Sequence, residues 1–170
     1  KIVITIARQY GSGGKTIGGM LADRLGVPCY NREILRMASD ESGINERLFA
    51  QADEKIKKSA LFRISKSVYE GELLPPDSDD FVSTRNLFNY QAKIIKKLAE
   101  TESCVIVGKC ADHVLRDYKN VISLYIEAPR PYCRERIMRK MNVGPEEADE
   151  LISKTDKYRA DYYKYYTRGN

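Results

Sequence analysis

Histidine is almost missing from this chain: among 170 residues there is one, His113. The four cysteines, Cys29, Cys104, Cys110 and Cys133, form no C-x-x-C pair. Together these shortages leave little from which a zinc site could be built. No apolar run approaches the roughly 20 residues that a bilayer-spanning helix requires. There is no internal repeat and no low-complexity tract. The chain opens directly on a strand-like run, without an initiator Met and without a signal-type segment. Two cysteines fall in expected strands and two in or beside expected helices, the pattern of buried, reduced thiols, so a cytoplasmic protein is expected. The length fits one domain with a sizeable core. A net charge of +5 is moderate and suits either nucleic acid or phosphorylated small molecules. Lys55, Lys57 and Lys58 read as a solvated helix face, and His113 as a surface or capping residue.

What is present is concentrated in Ala7–Thr16, A-R-Q-Y-G-S-G-G-K-T. An apolar, β-branched run, Lys1–Ala7, precedes it and suits a buried strand. A helix-periodic segment follows, with Ile17, Leu21 and Leu25 on one expected face. Strand, glycine-rich turn, Gly-Lys-Thr and helix is the context of a phosphate-binding P-loop. Gly11, Ser12, Gly13, Gly14, Lys15 and Thr16 are the expected phosphate-binding residues. Successive N–H groups there point inward, and the helix N-terminus adds partial positive charge. Lys15 would reach the β- and γ-phosphates of ATP, and the Thr16 hydroxyl would help hold Mg²⁺. The first glycine of G-x-x-x-x-G-K-[ST] is replaced by Gln9.

Beyond the loop, Gly26-Val27-Pro28 ends the first helix and Cys29-Tyr30 reads as a short strand. A helix runs from Asn31 to about Ser39. Arg36 lies just past a strand's carboxyl end, where open α/β sheets place ligands, and is a candidate for a substrate phosphate. Residues 44–71 have helical tendency with loosely spaced anchors, Leu48, Phe49, Ile56, Leu61, Phe62 and Ile64, suggesting a cap rather than core. Residues 72–80 read as a loop. A helix over about 83–101 presents Leu87, Gln91, Ile94 and Leu98 on one face. Ser103–Val107 and Val121–Ile126 are further strands, separated by a short helix to about Tyr118. Pro129–Met141 is a helix crowded with Arg130, Arg134, Arg136, Arg139 and Lys140. Pro145 opens the last helix. The alternation predicts a mostly parallel sheet covered on both faces.

The absence of N-K-x-D excludes a guanine-reading switch protein, and no strand ends in the Asp of a Walker B motif. A short chain with a helical insert and an arginine-loaded late helix fits a small-molecule kinase. The acceptor of such an enzyme can be a phosphate oxygen, already anionic, so catalysis is positioning and charge neutralisation. This suits a chain with one His.

The sequence resembles the cytidylate kinase-like family of P-loop nucleoside monophosphate kinases. The resemblance rests on R-Q-Y-G-S-G-G-K-T-I-G at 8–18, L-A-D-R-L-G at 21–26, V-I-V-G-K-C-A-D at 105–112, Y-I-E-A-P at 125–129 with Arg136 beyond it, and D-K-Y-R-A-D-Y-Y at 156–163. It implies a P-loop kinase-type three-layer α/β sandwich forming one domain. The core would be residues 1–35 and 86–130, a helical monophosphate-binding insert about 36–85, and a lid with C-terminal helix about 130–168. It implies ATP, Mg²⁺ and a nucleoside monophosphate as ligands, with CMP or dCMP converted to the diphosphate. Arg136 and Arg139 correspond to lid arginines on the transferring phosphoryl group. Lys109 occupies the position of a monophosphate-binding Arg, and Asp156 with Arg159 keep the spacing of a further acceptor-binding pair. The family's serine–glycine acceptor motif has no counterpart at 31–36. The family's usual further strand and closing helix, whose connecting loop covers the adenine, are not among these residues. One alternative is a catalytically weak nucleotide sensor on the same fold, and another is a kinase for a different small phosphorylated acceptor. Nucleic acid and membrane are not expected partners: the tyrosines and cations of the last helix could stack on bases, but equally make an amphipathic lid helix.

Overall fold

In the computed structural model, residues 1–58, 73–79 and 81–167 are described. For 53–58 this covers the helix path but not the side chains, so the expected solvated face at Lys55, Lys57 and Lys58 lies outside the description, as do the anchors Ile56, Leu61, Phe62 and Ile64.

The β-branched opening forms β1, Val3–Arg8. It lies between two parallel neighbours, β3 (Cys104–Val107) and β4 (Val121–Ile126), while β2 (Cys29–Tyr30) pairs with the far side of β3. The order β2-β3-β1-β4 is parallel throughout. Side chains alternate across the pleat. Ile4, Ile6, Val105 and Val107 face one layer, where they meet Ala22 of α1, Gly14–Leu25. Val3, Cys104 and Ile106 face the other, a larger cluster that includes Ile34, Phe49, Phe88, Ile95 and Leu115. Those residues come from α2 (Glu33–Ser42), α3 (Glu46–Lys58), α4 (Thr84–Thr101), and the chain after α5 (Ala111–Val114). The result is a three-layer α/β fold of the P-loop kinase type.

Three expectations change. In α1 the packed face is Gly14, Gly18 and Ala22, while Ile17 and Leu25 point outward, 41% and 54% exposed. The helix lies so close to the sheet that small residues are required: a methyl group on Gly18 would stand 2.9 Å from Val107 Cγ2. The segment 44–58 is not merely a cap, because Ile44 and, on α3, Phe49 and Ala52 are buried in the main cluster. And among the described residues the sheet is not covered on both faces at β4, where Ile122, Leu124 and Tyr125 are exposed and β1 is the main neighbour.

Two helices complete the chain, α6 (Arg130–Met141) and α7 (Pro145–Thr167). They pack on each other through Cys133, Ile137, Ala148 and Ile152. Farther along, α7 reaches the main core, where Tyr166 stacks on Phe88 with ring centroids 3.7 Å apart. All four cysteines are free thiols.

Candidate functional site

The turn between β1 and α1 is a built cradle. Ser12, buried, donates from Oγ to the Gln9 carbonyl at 2.9 Å and accepts from Gly14 N–H at 3.3 Å. Gly11 and Gly13 are left-handed, φ +86° and +85°. At Gly11 the requirement is double, since a methyl group would also stand 2.8 Å from the Cys133 carbonyl oxygen. Gly13 caps α1 without any side-chain hydrogen bond, so the helix N-terminus is open to an anion. Lys15 and Thr16 are exposed beside it, and among the described residues neither side chain has a hydrogen-bond or ion-pair partner. The cradle thus fits a polyphosphate. Thr16 is a fitting oxygen donor for Mg²⁺, which keeps waters and takes most of its other ligands from phosphates; no cluster of three His, Cys, Asp or Glu competes for a metal among the described residues.

Gln9, which replaces a motif glycine, has a definite task. Its N–H donates to the Ile126 carbonyl at 3.0 Å, and its Oε1 accepts from Ala128 N–H at 3.1 Å. The loop is thereby tied to the end of β4. Tyr10 N–H donates to Asp156 Oδ1 at 2.7 Å, and Arg159 Nη1 donates to the Arg8 carbonyl at 3.0 Å. Asp156 and Arg159, 4.0 Å apart, therefore brace the loop's backbone from α7. Burial lowers the Arg159 pKa, with Asp156 opposing.

The arginines of α6 divide cleanly. Arg130 and Arg134 clamp Asp149, at 2.8 and 2.7 Å, and join α6 to α7. Arg139 pairs with Glu135 at 3.2 Å, both largely exposed. Arg136 alone is brought to the loop, its Cζ lying 3.6 Å from where a methyl group on Gly13 would be. Its only described partner is the Tyr132 ring, 5.7 Å away.

On the other side of β1, strand β3 ends in three consecutive left-handed residues, Gly108, Lys109 and Cys110, with φ of +81°, +62° and +52°. For Lys109 and Cys110 this is strain of about 1–3 kcal/mol each, which accumulates at functional sites. Lys109 sits on this turn. Arg36 is exposed on α2, within Coulombic reach of Glu33. The Glu33 carboxyl is held below its ordinary range mainly by backbone N–H donors, its own and that of Asn31, and further by Lys15 and Arg36. Glu33 thus links the loop lysine to the Arg36 neighbourhood electrostatically. His113 touches Arg116 Nη1 at 3.2 Å and packs edge-on to Tyr163.

Sequence reasoning missed Arg8, Glu33 and the Gln9 bridge. Arg8 lay inside the motif, but nothing local signals where its guanidinium goes. It extends across Gly14 to Gly108, where a methyl group would stand 2.5 Å from Nη1.

No curated protein matches the sequence. A crystal structure of an uncharacterized protein from Eubacterium ventriosum ATCC 27560 is similar, with a TM-score of 0.68 and 27% identity, covering 99% of this chain and 79% of that one. No helix among the described residues is long and apolar enough to cross a membrane. The model of the cytidylate kinase-like family matches residues 3–170. Membership supports nucleotide kinase chemistry in general, with ATP, Mg²⁺ and small nucleotides as the ligands such chemistry uses. With essentially its whole length matched, the chain belongs to the cytidylate kinase-like family.

Proposed function

We propose that this protein is an ATP-dependent nucleoside monophosphate kinase, with CMP or dCMP as its first-choice acceptor. The observation that carries the reading is the convergence of Lys15 and Arg136, neither paired with a carboxylate among the described residues, on an uncapped glycine-rich helix start. Cations left unpaired at such a cradle suit a ligand that brings its own negative charge. Gly11 to Thr16 would hold the ATP phosphates, and Thr16 the metal. When bound, ATP supplies the transferable phosphoryl group and Mg²⁺ neutralises its charge. Lys15 and Arg136 then meet the charge that develops on the equatorial oxygens. Arg36 and the strained Lys109 turn face the acceptor side, where no general base is needed because the attacking oxygen is already anionic. Arg139, paired with Glu135, becomes available to the reaction only if that ion pair opens.

A second reading, a weakly catalytic nucleotide sensor, is favoured by one observation. Asp156 and Arg159 are engaged with the loop backbone rather than open to an acceptor.

One experiment separates the two: ADP production with Mg-ATP and each of CMP, dCMP, UMP, AMP and GMP, with Lys15→Ala as control. The kinase reading expects turnover with CMP or dCMP that falls by about 100-fold or more in Lys15→Ala. ATP binding without turnover on any monophosphate overturns it, in favour of the sensor or of a kinase for a different small phosphorylated acceptor.

A further inference from the structure

Arg8 stands apart from the paired arginines. Arg130, Arg134 and Arg139 each have a carboxylate partner. The Arg8 guanidinium has neither a hydrogen bond nor an ion pair among the described residues; the bond at this position is to its backbone carbonyl. The charge it senses is Arg159, of its own sign. Burial, and then Arg159, lower its pKa to about 10. A guanidinium drawn out of water beside another cation is unfavourable unless an anion completes it. Nothing in the protein's described residues does so.

Its location says which anion. The Arg8 side chain leaves the end of β1, crosses Gly14, and brings its Nη1 to 2.5 Å from where a methyl group on Gly108 would stand. Gly108 opens the left-handed turn that carries Lys109. Arg136 approaches Gly13 from α6. Two guanidiniums therefore flank the loop, Arg136 by the lid and Arg8 by the end of β3. A residue other than Gly at 108 would fill the space the guanidinium uses. The planar fork of Arg suits bidentate contact with a phosphate.

We infer that Arg8 and the 108–110 turn form an anion subsite on the β3 side of the loop, which takes the phosphate group of the acceptor. This rests on the kinase reading for the identity of the anion, but the subsite itself is testable without turnover.

The test uses the full chain, wild type, Arg8→Gln and Arg8→Lys, with folding checked by circular dichroism and Tm. Three quantities are read: the acceptor KM, the Kd of a non-hydrolysable ATP analogue by calorimetry, and the thermal shift given by inorganic phosphate once that analogue fills the loop. Arg8→Gln should raise the acceptor KM about tenfold or more, the loss expected of a charge-assisted hydrogen bond. It should leave the analogue's Kd within about twofold and abolish the phosphate shift, with Arg8→Lys in between. A weakened analogue Kd with unchanged acceptor KM overturns the inference, since Arg8 would then serve ATP. A lower Tm with neither ligand affected also overturns it, since the role would be structural. If wild type turns over no monophosphate, the kinase reading fails by itself and the phosphate shift decides: present in wild type and lost in Arg8→Gln supports the subsite, and equal or absent in both overturns it. If Arg8→Gln does not fold, Arg8→Lys decides by the same readings.

Discussion

The two neighbours of β1 could hardly differ more. All four residues of β3 are at most 1% exposed and have helices over both faces, whereas Ile122, Leu124 and Tyr125 of β4 are 51%, 38% and 61% exposed. Yet both strands deliver a segment to the P-loop. The β3 side holds its segment through apolar packing, and that packing sustains three consecutive left-handed residues. The β4 side holds its segment through hydrogen bonds: Gln9 to Ala128, Tyr10 to Asp156, Arg159 to the Arg8 carbonyl. Strain needs a rigid support that over-determines it, so the strained turn belongs where the core is. Polar ties can break and re-form at modest net free energy, so they suit the side where α6 and α7 meet the loop.

The largest expected contrast is in stability. Ile106→Ala on β3 should destabilise by about 2–4 kcal/mol, and Ile122→Ala on β4 by no more than about 0.5 kcal/mol, both read by denaturant unfolding. Equal effects would break the comparison. Next, Asp156→Ala removes the acceptor of Tyr10 N–H and should cost about 1.5–3 kcal/mol, with weaker ATP binding measured by calorimetry. An unchanged Kd would mean the loop keeps its shape without the brace. Third, Gly108→Ala forces a side chain into φ +81° and should cost about 1–2 kcal/mol. Because the methyl group meets only the mobile end of Arg8, the protein should fold while its acceptor kinetics change, a split seen by comparing Tm with KM. The smallest effect concerns Asp149. Hydrogen bonds from Arg134 and Arg130 hold its carboxyl below the ordinary range. Its contribution is therefore complete above the unfolded value of about 3.9 and is lost only as pH falls through the lower folded value. Asp149→Asn should lower Tm slightly at neutral pH and remove that acid-side dependence, and high salt should shrink the difference.

Local signals made the glycine-rich strand-to-helix turn and the β/α alternation legible: β-branched runs, glycines, and Gly-Lys-Thr at a helix start. Tertiary facts were not legible. The spacing of Ile17, Leu21 and Leu25 marked a helix correctly but did not show its packed side, because the approach of α1 to the sheet selects Gly14, Gly18 and Ala22, with only Leu21 of the three packed beside them. Phe49 sits in loosely patterned sequence, yet it is fully buried. Val121–Ile126 reads correctly as a strand, but its exposure was not legible, because an apolar run reports composition and not what lies on top of it. The resemblance singled out Arg136 and Arg139 among the arginines of α6, but their pairing was not legible: Arg130 and Arg134 hold Asp149 and Arg139 holds Glu135, and only the fold brings those carboxylates to them. Arg8 belongs to the same class, a residue inside a recognised motif whose importance lies in what it lacks.

Helix α7 has 23 residues, about 34 Å of continuous hydrogen-bonded rod. Ala148 and Ile152 grip α6 at one end, Asp156 and Arg159 touch the loop midway, and Tyr166 stacks on Phe88 at the other. Such a rod is a lever with its fulcrum at the glycine-rich loop. A swing that lifts the α6 end must tug on Tyr10 and Arg8, or press on the aromatic stack, or bend the rod. Displacement of α6 and deformation of the cradle are then one mechanical event, transmitted along a single piece of secondary structure.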